Sequence, residues 1–177
     1  MEETRRKFPV VSVILVGIAT LMALVTVFGR PSFVNIMEFA CLSALVVGLI
    51  LGKKDRNLIV AIGFLALVLF GIIDSFITLR NYIQWGLGVD TAAPMLCGKA
   101  ITLLCDAAIG ISYLIAKPKL AVLKTVACAV VVSFSFLTIV CALIVMRGSG
   151  AVSTSLTFLL QTATLYVGAL LYTPYKK

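Results

Sequence analysis

Residues 9–28, PVVSVILVGIATLMALVTVF, form an apolar run without a single charged residue. At about 1.5 Å per residue, a helix of this length spans roughly 30 Å, the thickness of the hydrocarbon core of a bilayer. The run therefore predicts a membrane-spanning helix. Further runs of similar length follow at residues 32–52, 58–79, 95–116, 120–146 and 151–172.

The composition of the whole chain agrees with that interpretation. Of 177 residues, 62% are hydrophobic and 12% are charged, and the mean hydropathy is +1.16. We predict an all-α, polytopic membrane protein: one bundle of six transmembrane helices over residues 9–172, with short connections and tails at 1–8 and 173–177. The few residues between the runs cannot form a soluble domain, so any site should lie within the bundle or at its rim.

The distribution of cations predicts the orientation. Most lie in the predicted tails and in the second and fourth connections: Arg5, Arg6, Lys7, Lys53, Lys54, Arg56, Lys117, Lys119, Lys124, Lys176 and Lys177. The connections on the other side contain Arg30, Arg80 and Arg147, and Lys99 lies inside a run. The positive-inside rule then predicts a multi-pass protein of the cell membrane with both termini in the cytoplasm.

Several function classes are disfavoured by composition. The chain has no histidine, which removes imidazole acid–base chemistry and histidine-ligated metals. Its five cysteines lie inside the apolar runs without a C-x-x-C pair, as expected of buried apolar residues. The basic residues flank hydrophobic runs rather than forming a nucleic-acid surface. We therefore predict no nucleic-acid partner, cofactor, metal or catalytic residue.

Apart from Lys124, which falls near the start of the fifth run and is counted with the fourth connection, four ionisable residues lie inside the predicted spans: Glu38, Asp74, Lys99 and Asp106. A charge at the centre of a membrane helix costs roughly 2.5–3.5 kcal/mol on insertion scales, so each needs a partner, water or a changed protonation state. At about 1.5 Å per residue, Lys99, Asp74 and Glu38 lie about 6, 7.5 and 9 Å below the outer membrane boundary, and Asp106 lies about 16 Å below it, near the midplane. With Lys124 assigned to the fourth connection, the inner half contains none. This asymmetry predicts an outward-facing polar pocket.

Helical spacing groups these residues with other polar or small ones in stripes. The stripes are Asn35 and Glu38 in the second run, Gly63, Gly71, Asp74 and Thr78 in the third, Lys99, Thr102, Asp106, Gly110 and Tyr113 in the fourth, and Thr154, Thr157, Gln161, Thr164 and Gly168 in the sixth. The candidate substrate-binding residues are accordingly Asp106, Lys99, Glu38, Gln161, Asp74, Asn35 and Trp85.

Structural alternatives exist for most of these side chains. Lys99 can extend its ammonium to the interface, and Thr side chains can bond to their own helix. Asp74 can pair with Arg80, and Glu38 with Arg30, near the surface. Asp106 is too deep for such an arrangement, and its structural alternatives are a salt bridge to Lys99 or hydrogen bonds to Gln161.

The connection at residues 80–94 is the longest that the pattern predicts. Tyr82 and Trp85 fall at interface depth, and Gly86 and Gly88 are flexible points. This segment is interpreted as an interfacial loop with aromatic anchors, or as a lid over the pocket.

Small residues at every fourth position of a helix predict helix-packing surfaces, either within the bundle or against another subunit. They are Ala40, Ala44, Gly48 and Gly52 in the second run and Ala19 and Ala23 in the first. The bilayer and membrane partner subunits are the partners that these patterns suggest.

Acidic and basic residues of the outer half balance in number, which favours a neutral or zwitterionic solute, although a midplane carboxylate also suits a proton or a monovalent cation. Transport, or solute capture for a transporter, is the leading functional prediction. Six spans, cytoplasmic termini and an outward polar pocket resemble the substrate-binding subunits of energy-coupling-factor vitamin transporters, and that resemblance implies docking to a partner through Ala19 and Ala23. The alternatives are an assembly subunit of a larger membrane complex and, third, an intramembrane aspartyl enzyme using Asp74 and Asp106.

Overall fold

The computed structural model describes residues 9–51, 56–86, 89–117, 119–145 and 149–172, with the backbone alone at 89–95, 138, 139, 141–145, 149–155 and 158. These residues form helices and turns and no strand. The helices are α1 (Val10–Gly29), α2 (Phe33–Leu51), α3 (Arg56–Gln84), α4 (Val89–Ile115), α5 (Leu120–Val145) and α6 (Ser149–Leu171). The predicted all-helical membrane bundle is confirmed.

Five of the six helices are long and apolar enough to cross a membrane. In α4 and α5 the apolar segments are Leu96–Ile115 and Leu120–Leu137. Within the described residues, α6 has a shorter apolar segment, Leu159–Leu171. The large apolar side chains on the outside of the bundle, such as Phe28, Phe76 and Leu104, are 69–80% exposed, as expected where lipid rather than water surrounds the helices.

The helices form a closed ring. Each packs against its neighbours in sequence, and α6 returns to pack against α1. Short connections between helices that pack side by side make successive helices antiparallel. The α1–α6 closure depends on Gly168, since a Cβ there would lie 3.0 Å from a methyl group of Val16 and 3.1 Å from Cβ of Leu15.

The connection predicted at residues 80–94 is mostly helical, which corrects the sequence analysis. Helix α3 continues to Gln84 because Arg80–Gln84 contains no glycine or proline, and α4 already begins at Val89. The α3 helix ends where Gly86 adopts φ +64°, the left-handed conformation that favours glycine, and its N–H donates to the carbonyl of Ile83. In place of the long loop proposed as a lid or an interfacial anchor, the structure shows a turn at Trp85 and Gly86, and residues 87 and 88 lie outside the described residues.

We call the half of the bundle that contains the described chain ends the proximal half and the other the distal half. The proximal half is filled by apolar and aromatic side chains. Phe64, Tyr113 and Tyr166 pack together near the middle of the bundle, with ring centroids 6.1 Å apart for Phe64–Tyr113 and 6.4 Å for Phe64–Tyr166. Tyr172 extends this cluster toward the chain ends, 5.5 Å from the Tyr113 ring.

Lys124 belongs to this proximal core, which is a second correction. Its position in the sequence predicted a cation of the connection and an inner half without ionisable residues. Lys124 instead lies in α5 and is 2% exposed, so this half of the bundle also contains a buried charge. Its ammonium donates to the carbonyls of Ala169, Leu170 and Tyr172 at 3.3, 3.1 and 2.7 Å. The last carbonyls of a helix lack partners within the helix and carry partial negative charge, so a buried cation stabilises the end of α6.

Candidate functional site

The distal half encloses a cavity of about 580 Å³. Five helices line it, with wall residues from α2, α3, α4, α5 and α6. The wall is mostly apolar, and its polar side chains are Glu38, Asp74, Lys99, Thr102, Asp106, Ser135, Gln161, Thr162 and Tyr166. The four ionisable residues predicted inside the spans therefore lie around one cavity, together with Gln161.

Glu38 projects into the cavity from α2 and is held by α6. The side-chain amide of Gln161 donates to its Oε1 at 2.7 Å. The alternative pairing of Glu38 with Arg30 is not observed, since Arg30 is exposed at the end of α1. Within the described residues, the other carboxylate oxygen of Glu38 accepts no hydrogen bond.

Asp74 and Lys99 form an ion pair across the α3–α4 contact. The ammonium of Lys99 also donates to the hydroxyl of Thr78 at 2.8 Å, one helical turn beyond Asp74. Neither predicted alternative holds: Asp74 does not pair with Arg80, and Lys99 is engaged within the bundle rather than extended to the interface. The two charged side chains are 32% and 30% exposed, so the pair lies at the more accessible part of the wall.

Asp106 is the most buried of the four ionisable residues, at 5% exposure. Its Oδ1 accepts a hydrogen bond of 2.5 Å from the hydroxyl of Tyr166 on α6. Lys99 and Gln161, its predicted structural partners, bond to other residues. In the part of the chain that the structure describes, Oδ2 of Asp106 accepts no hydrogen bond, so this oxygen can accept one from a ligand or water in the cavity.

The electrostatics of the cavity differ from the balance that the sequence suggested. Glu38 lies within electrostatic range of both Asp74 and Asp106. Lys99 is the cation of the described wall, so three carboxylates face one ammonium. Arg30 and Arg80 are exposed instead, while residue 147 and the side chain of residue 90 lie outside the described residues. The described cavity has an excess of acidic groups.

Two candidate binding residues lie away from the cavity. Asn35 stabilises the start of α2: its backbone N–H donates to the Ser32 hydroxyl at 3.2 Å, and its side-chain amide donates to the Arg30 carbonyl at 2.7 Å. Ser32 thus has the role of an N-cap, a local explanation for polar residues at a helix start. Trp85 is 70% exposed in the turn after α3.

The small residues predicted for helix packing separate into two groups. Ala19 and Ala23 are buried at 0% and 2% exposure, and Gly48 is buried against Ile59, so these three pack inside the bundle. Ala40 and Ala44 are exposed on the outside of α2. Gly52 lies outside the described residues. Ala19 and Ala23 are therefore not accessible to a partner helix in this structure.

Several cavity residues were missed from the sequence. Tyr166 was not selected because it does not lie on the threonine stripe of α6, although its depth matches that of Asp106 on the antiparallel α4. Thr162, four residues before Tyr166, lines the cavity, whereas the hydroxyl of Thr164 donates to its own helix at the carbonyl of Leu160, 2.7 Å away. Ser135 adds a hydroxyl from α5, a helix without a predicted stripe.

The polar groups of the described wall can bind a solute through charge and hydrogen bonds. Among the described residues, no group of three or more histidine, cysteine or acidic side chains is arranged to hold a metal ion. Asp74 and Asp106, the pair required by the enzyme alternative, have separate partners in Lys99 and Tyr166. Comparison of the chain with protein-family models, with curated proteins and with solved structures gives no match.

Proposed function

We propose that this protein binds a small solute in the distal cavity, either as a transporter or as the solute-capturing membrane subunit of one. The observation that carries the proposal is Asp106, a carboxylate at mid-bundle depth with one oxygen unoccupied beside an internal space of about 580 Å³. An intramembrane carboxylate is costly to bury, and such residues mark solute and ion pathways in membrane proteins.

The shape of the bundle supports solute entry from the distal side. Cavities of roughly 300–1,000 Å³ are typical of small-molecule sites, with mostly apolar walls and a few placed polar groups. The Phe64, Tyr113 and Tyr172 rings and the Lys124 contacts fill the opposite half. A transporter that alternates its access would have to open this proximal core, whereas a capturing subunit would use a partner to do so.

Thermal unfolding in detergent tests solute binding. We expect at least one compound in a panel of vitamins, amines and amino acids to raise the melting temperature, because a ligand at one hundred times its dissociation constant stabilises a protein by about 2.7 kcal/mol. Asp106→Asn should abolish the shift. Ser112→Ala is the control, because Ser112 is a buried residue of the same helix whose hydroxyl donates to the Ile109 carbonyl.

Cysteine labelling tests whether the cavity contains water. In a background without native cysteines, Ser135→Cys should react with a water-soluble methanethiosulfonate, since Ser135 lines the cavity. Phe136→Cys, one residue away and 59% exposed on the lipid-facing side, should react far more slowly. Equal, slow labelling at both positions, together with no stabilising compound, would refute the proposed solute site.

A second candidate, an assembly subunit, is favoured by the exposed Ala40 and Ala44 on α2. Small residues on the outside of a membrane helix let another helix approach closely. Ala40→Leu and Ala44→Leu should then release a co-purifying membrane partner while leaving the melting temperature of the isolated chain unchanged. Retention of every partner by both variants would argue against this function.

A further inference from the structure

The carboxylates of the cavity are unequally satisfied. Asp74 has a cationic partner in Lys99, whereas Glu38 and Asp106 receive one hydrogen bond each from neutral groups, the amide of Gln161 and the phenol of Tyr166. Each of these two carboxylates has a second oxygen that accepts no hydrogen bond within the described residues. Buried ionised carboxylates require compensation by positive charge.

We propose that the solute is a monovalent organic cation and that its ammonium group binds to the unoccupied oxygens of Glu38 and Asp106. This inference rests on the proposed function and names its substrate class. The ammonium supplies N–H donors to the open acceptors and compensates the acidic excess of the described wall. Charge-assisted hydrogen bonds of this type are stronger than neutral ones.

The remainder of the wall favours an organic cation over a bare metal ion. Leu67, Phe70, Leu103 and Phe134 line the cavity beside the carboxylates. Hard inorganic cations prefer a shell of oxygen ligands, and apolar side chains provide none. Aromatic and aliphatic side chains instead bury the hydrocarbon part of an amine, and aromatic rings also attract cations.

The wall also disfavours a zwitterion or an anion. A solute carboxylate would need a cationic partner, and Lys99 already bonds to both Asp74 and Thr78. The solute would have to compete with Asp74 for the one ammonium of the described wall. A cationic amine with an apolar body fits the groups as they stand.

Four compounds that share a phenylethyl body separate these charge classes. They are phenethylamine as the cation, 2-phenylethanol as the neutral compound, phenylalanine as the zwitterion and 3-phenylpropionate as the anion. We expect phenethylamine to bind the purified full chain at least tenfold more tightly than 2-phenylethanol in calorimetry. Asp106→Asn and Glu38→Gln should each reduce this preference by roughly tenfold, as expected for the loss of one charge-assisted hydrogen bond. Ser112→Ala should preserve it.

Labelling rates give a second measurement that requires no bound solute. The measured quantity is the rate of labelling by a cationic methanethiosulfonate divided by the rate with an anionic one. We expect this ratio to be at least tenfold higher at Ser135→Cys than at Gln84→Cys, an exposed position at the end of α3. Adding Asp106→Asn should lower the ratio, and Asp106→Glu, which keeps the charge, should restore it. These variants keep the test informative if Glu38→Gln fails to fold.

The outcomes distinguish this inference from the proposed function. Tighter or equal binding of the neutral, zwitterionic or anionic compound would overturn the cation assignment and leave solute binding intact. Binding of sodium or potassium ions alone would also overturn it. Equal reagent ratios at Ser135→Cys and Gln84→Cys, without binding of phenethylamine, would overturn it as well. Failure of both reagents to reach Ser135→Cys would refute the water-filled cavity itself and therefore both proposals.

Discussion

The two halves of the bundle bury polar side chains in different ways. In the proximal half, Lys124 and Tyr113 donate to backbone carbonyls at the end of α6, and the surrounding space is filled. In the distal half, Asp106 and Glu38 bond side chain to side chain across helices and border a cavity of about 580 Å³. Lys124 and Asp106 are almost equally buried, at 2% and 5% exposure. Burial therefore does not distinguish the two residues, whereas the open acceptor beside a cavity does, and the proposed site depends on that acceptor.

Lys124→Met should have the largest effect on stability. The substitution keeps the length of the side chain but removes the charged donor from three carbonyls of the α6 end. The carbonyls of Ala169 and Tyr172 keep the hydroxyl of Tyr113, whereas that of Leu170 loses its side-chain donor. Since hydrogen bonds to a charged group contribute about 1.5–3 kcal/mol, we expect the free energy of unfolding to fall by roughly 3 kcal/mol. Denaturant titration in mixed micelles measures this.

Lys117→Met is the control for Lys124→Met, because Lys117 is exposed in the turn after α4. It should change the free energy of unfolding by less than about 0.5 kcal/mol. If the two variants were equally stable, Lys124 would not stabilise the end of α6. The structural role assigned to the buried polar groups of the proximal half would then be wrong for Lys124. Solutes that stabilise the wild type should still stabilise Lys124→Met, since Lys124 does not line the cavity.

Gly48→Ala should have the next largest effect. A Cβ at this position would lie 2.2 Å from Cγ2 of Ile59, so α2 and α3 would have to shift. Overpacking of this kind costs about 1–3 kcal/mol. Gly17→Ala is the matched control, because nothing lies within 4 Å of the added Cβ, and it should be neutral or slightly stabilising. Comparable destabilisation by both variants would contradict a close α2–α3 contact.

The fold could largely be predicted from sequence because length and hydropathy decide the number and type of the helices. The missed feature was the α3–α4 connection. The predicted apolar run ends before Arg80–Gln84 because this segment is polar, yet it contains no residue that ends a helix. Hydropathy alone cannot distinguish a polar extension of a helix from a loop. The turn depends on Gly86, which the sequence marked only as a flexible point.

The sequence predicted which residues line the cavity better than it predicted which of their side chains bond to one another. Helical spacing placed Glu38, Asp74, Lys99, Asp106 and Gln161 on inward faces, because one helix fixes the relative direction of its own side chains. Pairing depends on the rotation and height of one helix against another, which spacing within a helix does not determine. Spacing grouped Asn35 with Glu38, but the Asn35 amide donates to the Arg30 carbonyl, a local contact at the start of α2 that spacing does not predict.

Two tyrosine-to-phenylalanine variants, one in each half, compare the halves by the same chemical change. Each removes one buried hydroxyl. Tyr113→Phe should lower the free energy of unfolding by about 1 kcal/mol, because the Ala169 carbonyl loses a donor. Tyr166→Phe should act mainly on solute affinity, by changing the hydrogen bonding of Asp106. Calorimetry measures the solute affinity of both variants, and denaturant titration measures their free energy of unfolding. An equal change in solute affinity would contradict the assignment of solute binding to the distal half alone.

The smallest expected effect is the coupling between Asp74 and Lys99. Their side chains are 32% and 30% exposed, and ion pairs with that degree of access contribute about 1 kcal/mol or less. A double-mutant cycle with Asp74→Asn and Lys99→Met measures this coupling in the free energy of unfolding. A coupling of several kcal/mol would indicate a dry pair, and then this part of the distal wall would resemble the filled proximal half. A small coupling instead agrees with a wet cavity in which Asp74 and Lys99 neutralise each other, leaving Glu38 and Asp106 to bind the solute.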